Sequence, residues 1–139
     1  MPRSRQSRRL EERIAAIPLA VREAVQPALI HSAEEIADTM RRFAPEDEGD
    51  LKDSIAATGP GKSTPPYSQP GGSRVAADTE ALVTAGNSEV RYPHLQEYGT
   101  TFHDAQPFFW PAVRLLRKRI ERRMKRAIAK AVRDKWKRP

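Results

Sequence analysis

The side chains that could carry chemistry are few and scattered. A transition-metal site draws on histidines and cysteines at turn or helix spacing. This chain has no cysteine, and His31, His94 and His103 show no ligand spacing. The acidic run Glu46, Asp47, Glu48, Asp50 and Asp53 lacks the alternating oxygens and closing glutamate of a calcium loop, so it reads as a solvated acidic turn. The stretch GPGKST at residues 59–64 evokes a phosphate loop. It lacks the first glycine of that motif, and its prolines break the strand–loop–helix context the motif needs. No serine sits in a nucleophile elbow and no Ser/His/Asp set is suggested. No metal, no cofactor and no catalytic residue is therefore expected, and the chain is not expected to be an enzyme.

Two features remain that could bind something. One is Phe108-Phe109-Trp110 between Pro107 and Pro111, a third of the nine aromatic residues in the chain. Such rings could stack on bases, fill a core, or enter a subunit interface rich in aromatics. The flanking prolines fix φ and suit a rigid entry into a helix. If the segment is extended, successive side chains alternate and the three rings cannot all face one way. Phe108 is expected in the core, and Phe109 and Trp110 are expected to divide between core and subunit contact. The other feature is charge. From Ala112 onward there are 13 Lys/Arg and 2 Asp/Glu; the formal net charge of the whole is +7, so the remainder is mildly acidic. Arg117, Arg122, Lys125 and Arg126 are candidate contacts to a polyanion, nucleic acid first. The plainer reading is an amphipathic helix with a solvated basic face. Neither helix-turn-helix punctuation nor zinc-finger spacing accompanies it.

The elements that would position these residues can be read from periodicity. The chain has 139 residues with 38% hydrophobic content and a mean hydropathy of -0.71. That predicts one domain with a small core, some of whose surface needs a partner or copies of itself. No apolar run is long enough to span a bilayer. Residues 1–9 lack an apolar pattern and are expected to be a flexible basic N-terminus, with residues 10–139 as the single domain. From Leu10, apolar residues step by three and four up to Phe43. Pro18 and Pro27 should start, kink or split that helix, and Ala44-Pro45 should end it. Residues 51–58 read as a short strand. Residues 59–73, with four glycines and four prolines, read as an extended loop or arm. Residues 74–77 and 81–85 are weak strands around a turn, and residues 91–98 are a strand or a turn or two of helix. Val113, Leu116, Ile120, Met124, Ala127, Ile128, Ala131 and Val132 then form an apolar stripe on a long final helix, with Pro111 in its first turn.

These elements carry short motifs in a definite order: Ala44-Pro45, then Gly49-Asp50-Leu51 with Ser54-Ile55, then Tyr92 with Glu97-Tyr98-Gly99-Thr100, then Gln106-Pro107-Phe108 with Pro111-Ala112. In that order and spacing the chain resembles the small neck proteins of long-tailed bacteriophages, the head–tail joining or tail-completion family of Hong-Kong-ninety-seven type, also compared with minor tail protein Z of lambda-like phages. The resemblance covers roughly residues 20–135. The turn reads Glu-Gly-Asp where the family has Thr-Gly, the Pro/Gly loop is long, and the final helix is more basic than the pattern requires.

The resemblance implies an α+β fold, with long N- and C-terminal helices on a small antiparallel sheet. It implies a non-enzymatic virion component, assembled in the bacterial cytoplasm, that sits at the neck and completes the tail as part of a ring. Its partners would be copies of itself, adjacent neck and tail proteins (a head-completion protein, a tail terminator, the tail tube) and the genomic DNA that passes through, with no membrane. Tyr67 in the long loop, Phe109 and Trp110 are the candidate interface residues. The alternative is a nucleic-acid-binding protein that uses the basic C-terminal helix.

Overall fold

The computed structural model describes residues 5–45, 49–90, 93–101 and 105–137. Two long helices, α1 (Arg5–Phe43) and α4 (Phe109–Lys137), form an antiparallel hairpin. Between them in the chain come a short helix α2 (Gly49–Asp53), strands β1 (Ala56–Thr58) and β2 (Leu82–Thr84), and helix α3 (Pro93–Tyr98). The strands pair antiparallel, Ala56 opposite Thr84 and Thr58 opposite Leu82. The expected α+β architecture is therefore the observed one.

Helix α1 does not break at its prolines; both lie inside one helix of 39 residues. Each proline removes one backbone hydrogen bond. Pro18 and Pro27 are both exposed, so water can serve the carbonyls they free. The helix stops at Phe43, with the Ala44 N–H closing the last turn on the Met40 carbonyl at 2.8 Å, where the Ala44-Pro45 signal places its end. It starts at Arg5, inside the segment read as a basic N-terminus; residues 1–4 lie outside the described residues. None of the described side chains from Arg5 to Ala24 is buried, and Val25 is the first that is.

The register of the hairpin is set by charge. The Arg123 guanidinium donates to Ser32 Oγ at 3.1 Å and pairs with Glu35 at 3.2 Å, and Arg119 reaches the same carboxylate at 3.8 Å. With these partners, the last turn of α4 lies beside about residues 18–22 of α1, by counting equal rises on antiparallel helices. The first thirteen or so residues of α1 therefore extend past it, by about 20 Å at ~1.5 Å per residue.

The core lies at the other end. Ala37, Met40, Ala44, Leu51, Ile55, Ala85, Phe108 and Ala112 form one buried cluster. Half of it is alanine, which lets α1, α4 and the small sheet approach closely; Phe108, Met40, Leu51 and Ile55 supply most of its apolar volume. Residues 51–58 are not one strand. Leu51 to Asp53 close a helical turn, and only Ala56–Thr58 is extended. Leu51 and Ile55, four apart, both enter the core, a spacing that shares one face in helix and strand alike; the turn itself is closed by the Ser54 N–H on the Asp50 and Leu51 carbonyls, both at 3.1 Å. Of the two weak strands, the second forms β2; in the first, Val75 makes an isolated bridge to Ser63. Residues 91 and 92, including Tyr92, lie outside the described residues, and residues 93–98 are helical.

The long loop carries no helix or strand of its own but is tied down twice. Gly61 N donates to Ala76 O at 3.0 Å, and Thr64 N to Arg74 O at 2.8 Å. Further on, Gln69 and Ala85 exchange both backbone hydrogen bonds, at 2.8 and 3.0 Å. The Gln69–Pro70 peptide is cis.

An aromatic pocket closed by a capping carboxylate

Where the loop returns to the body, it meets the start of α4. That helix has no acidic residue in its first turn, and Phe108, just before it, cannot cap. The opening N–H groups need an acceptor from elsewhere. Glu97, at the end of α3, supplies it. Its carboxylate accepts the N–H of Phe108 at 2.8 Å, of Phe109 at 2.9 Å and of Trp110 at 3.1 Å. Pro111 has no N–H to satisfy. Glu97 is only 8% exposed. A buried carboxylate is tolerable when charged donors or backbone N–H groups satisfy it, and the positive end of the α4 dipole adds to that.

The neighbouring residue completes the joint: the Trp110 Nε1–H donates to the Tyr98 hydroxyl at 2.9 Å. Phe109 stands edge-on to Phe108, ring centres 6.4 Å apart, and to Trp110 at 5.0 Å. Strand alternation does not separate these rings, because Phe109 and Trp110 are already helical. Each residue turns by about 100°, and that separates them. Phe108 is fully buried, as expected from the sequence; Phe109 is half-buried against the core; Trp110 is 40% exposed.

These groups line a cavity of about 440 Å³ together with Tyr67, Ser68, Pro70 and Ala85. Tyr67 and Tyr98 stand at its edge, 55% and 70% exposed. Tyr67 has a left-handed backbone, φ 63°. That conformation is strained for a residue with a large side chain, and such strain marks functional positions. Tyr67, Phe109 and Trp110, far apart in the chain, are thus brought to one place. The four basic candidates are not. Arg117, Arg122, Lys125 and Arg126 are all exposed on α4, but at ~100° per residue they spread over half its circumference.

Glu97 and Tyr98 were not singled out as site residues by type or spacing. The signal that could have found Glu97 is the missing cap: a helix entered through Pro-Phe-Phe-Trp-Pro has no acceptor of its own. The second motif is structural too. Ser54 Oγ donates to Leu51 O at 2.7 Å and accepts the Gly86 N–H at 2.9 Å. Gly86 has φ 96°, and a Cβ there would lie 2.8 Å from Val90 O. The acidic residues Glu46 to Glu48 and His103 lie outside the described residues. His31 is exposed beside Glu34 and Asp38 on the groove between α1 and α4.

The polar groups at this joint hold the chain together; its one carboxylate is fully engaged by three backbone donors. Its role is structural. A scan of protein families matches residues 8–99 to the family described as "Bacteriophage HK97-gp10, putative tail-component", and the chain belongs to that family. The matched stretch takes in α1, the sheet, the loop and Glu97, and stops before the basic helix. No curated protein and no solved structure matches the chain. Among the described residues, no helix is long and apolar enough to cross a membrane.

Proposed function

We propose that this tail component is a non-enzymatic subunit of the phage neck, which completes the tail at the head–tail interface as one member of a ring. Family membership makes it part of the virion tail and gives it other tail proteins as partners. The observation that carries the finer reading is the aromatic rim: Tyr67, Tyr98 and Trp110 exposed around one apolar pocket. Clustered exposed aromatics on a monomer mark interaction surfaces. The projecting N-terminal turns of α1 support the same reading, because a lone helical extension of that length gains little stability by itself. Successive copies would meet head to tail, the geometry that closes rings.

Native mass spectrometry tests this directly. The wild-type chain, alone or with tail-tube protein, should form a closed oligomer of defined copy number. Trp110→Ala should lower the thermal midpoint by only a few degrees, since the ring is largely outside the core, and should abolish that oligomer. In a phage carrying this change, filled heads and finished tails should accumulate unjoined. Normal virions, or a monomer that unfolds as readily as a core variant, would return Trp110 to a packing role.

A further inference from the structure

The far end of the helical hairpin has a charge pattern that neither the aromatic pocket nor the register explains. Residues 5–24 carry five Lys/Arg and three Asp/Glu, and residues 121–137 carry eight and two, so this end alone has a net charge of +8. The hairpin places both segments at its far end, with the start of α1 projecting past the end of α4. Toward the core end two arginines of α4, Arg119 and Arg123, face Glu35, while among the described residues Arg114, Arg117 and Lys118 have no carboxylate within ion-pair distance. Beyond Arg123 the matching stops. Among the described residues, no carboxylate is within ion-pair distance of Lys125, Arg126, Lys130, Arg133, Lys135 or Lys137.

Within this excess there is a geometric order. Arg122, Arg126, Lys130, Arg133 and Lys137 are spaced four, four, three and four apart. At ~100° per residue they fall within an arc of about 80°. All five are exposed, so they form a straight stripe about 22 Å long at ~1.5 Å per residue. The two helices differ in what their basic ends do for stability. Lys135 and Lys137 in the last turn of α4 complement its dipole. Arg5, Arg8 and Arg9 at the start of α1, where the first turn has no acidic residue, oppose theirs. Helix stability therefore accounts for part of the α4 charge and for none of the α1 charge.

We infer that this stripe, with the arginines of α1 that project past its end, is a contact surface for the backbone of duplex DNA. A straight row of five cations fits a linear polyanion that presents a negative charge every ~1.7 Å of its axis. An acidic protein patch would not require such a row. Phosphate contacts of this kind position the duplex without reading its sequence. The sequence alone pointed to Arg117, Arg122, Lys125 and Arg126; the structure keeps Arg122 and Arg126 and replaces the other two with Lys130, Arg133 and Lys137. The DNA contact does not depend on the neck reading, because a protein that forms rings without binding DNA loses only this assignment.

The test compares two variants of equal charge. One is Arg126→Gln, Lys130→Gln, Arg133→Gln and Lys137→Gln, on the stripe. The other is Arg114→Gln, Arg117→Gln, Lys118→Gln and Lys125→Gln, exposed on the other side of α4. Fluorescence anisotropy with a random-sequence 30-base-pair duplex is followed from 50 to 200 mM salt. The stripe variant should lose about 100-fold in affinity, with a log–log salt slope reduced by roughly 3, near 0.9 for each phosphate no longer neutralised. The other variant should change by less than about 5-fold. Circular dichroism of both checks the helices. A third variant, Arg126→Lys with Arg133→Lys, should bind as wild type. Equal losses in the two quadruple variants, no wild-type binding at 50 mM salt, or displacement by poly-glutamate as effective as by unlabelled DNA would each overturn the inference.

Discussion

The two ends of the helical hairpin are built on opposite principles. At the core end, several polar side chains have defined structural roles. Glu97 caps α4, Ser54 bridges Leu51 to Gly86, and Arg41 joins Asp38 to the Ile55 carbonyl at 2.7 Å each. At the basic end, no described side chain is buried from Arg5 to Ala24 of α1, and among the described residues the cations of α4 beyond Arg123 have no carboxylate within ion-pair distance. The difference teaches that the motif residues Ser54, Glu97 and Phe108 serve folding, whereas the cations of the basic end make no such contacts among the described residues.

Substitution can break this contrast, and the largest effect should be at Phe108. Phe108→Ala removes the largest fully buried side chain and should cost about 3–5 kcal/mol, read as a shift of the urea midpoint at unchanged slope. Glu97→Ala comes next, at about 2–3 kcal/mol, since three N–H groups lose their acceptor together. Hydrogen exchange should locate that loss in the first turn of α4, and Glu97→Gln, which keeps one acceptor oxygen, should recover part of it. Ser54→Ala leaves the buried Gly86 N–H unpaired and should cost about 1–2 kcal/mol, measured by thermal unfolding. The smallest effect belongs to the basic end. Arg8→Gln with Arg9→Gln removes charges that oppose the α1 dipole and should leave the unfolding free energy within about 0.5 kcal/mol, on the stabilising side. A destabilisation above about 1 kcal/mol there would mean that the two ends are not distinct in the way described.

Much of this contrast was legible in the sequence, and the misses share a cause. The end of α1 at Ala44-Pro45, the helix of α4 and the burial of Phe108 follow from local rules of proline geometry and helical period, but Ile128 and Val132 of the expected α4 stripe are exposed, because α1 covers only part of that face. The continuity of α1 through Pro18 and Pro27 does not, because it depends on the exposure of the freed carbonyls. The helical turn at Leu51 depends on a core that four other segments complete. Glu97 is the clearest case: its partners lie 11 to 13 residues on, and no local window contains both a carboxylate and the helix start that lacks one. The residues nominated for an interface came together because the loop pairs Gln69 with Ala85, a contact that a run of glycines and prolines does not announce. The basic residues were visible as a count, but their grouping on one face needed the extent and phase of α4.

The Glu97 cap also bears on how the chain can be cut and lengthened. Because the carboxylate clamps α4 from the far side of residues 99–107, the helix is held by its own first turn and not by the tautness of the strand leading to it. Lengthening a loop whose ends are pinned costs only about 0.6 kcal/mol per doubling. This stretch is therefore where a tag, an epitope or a second domain could be spliced in, and where a two-piece version of the protein could be made to reassemble.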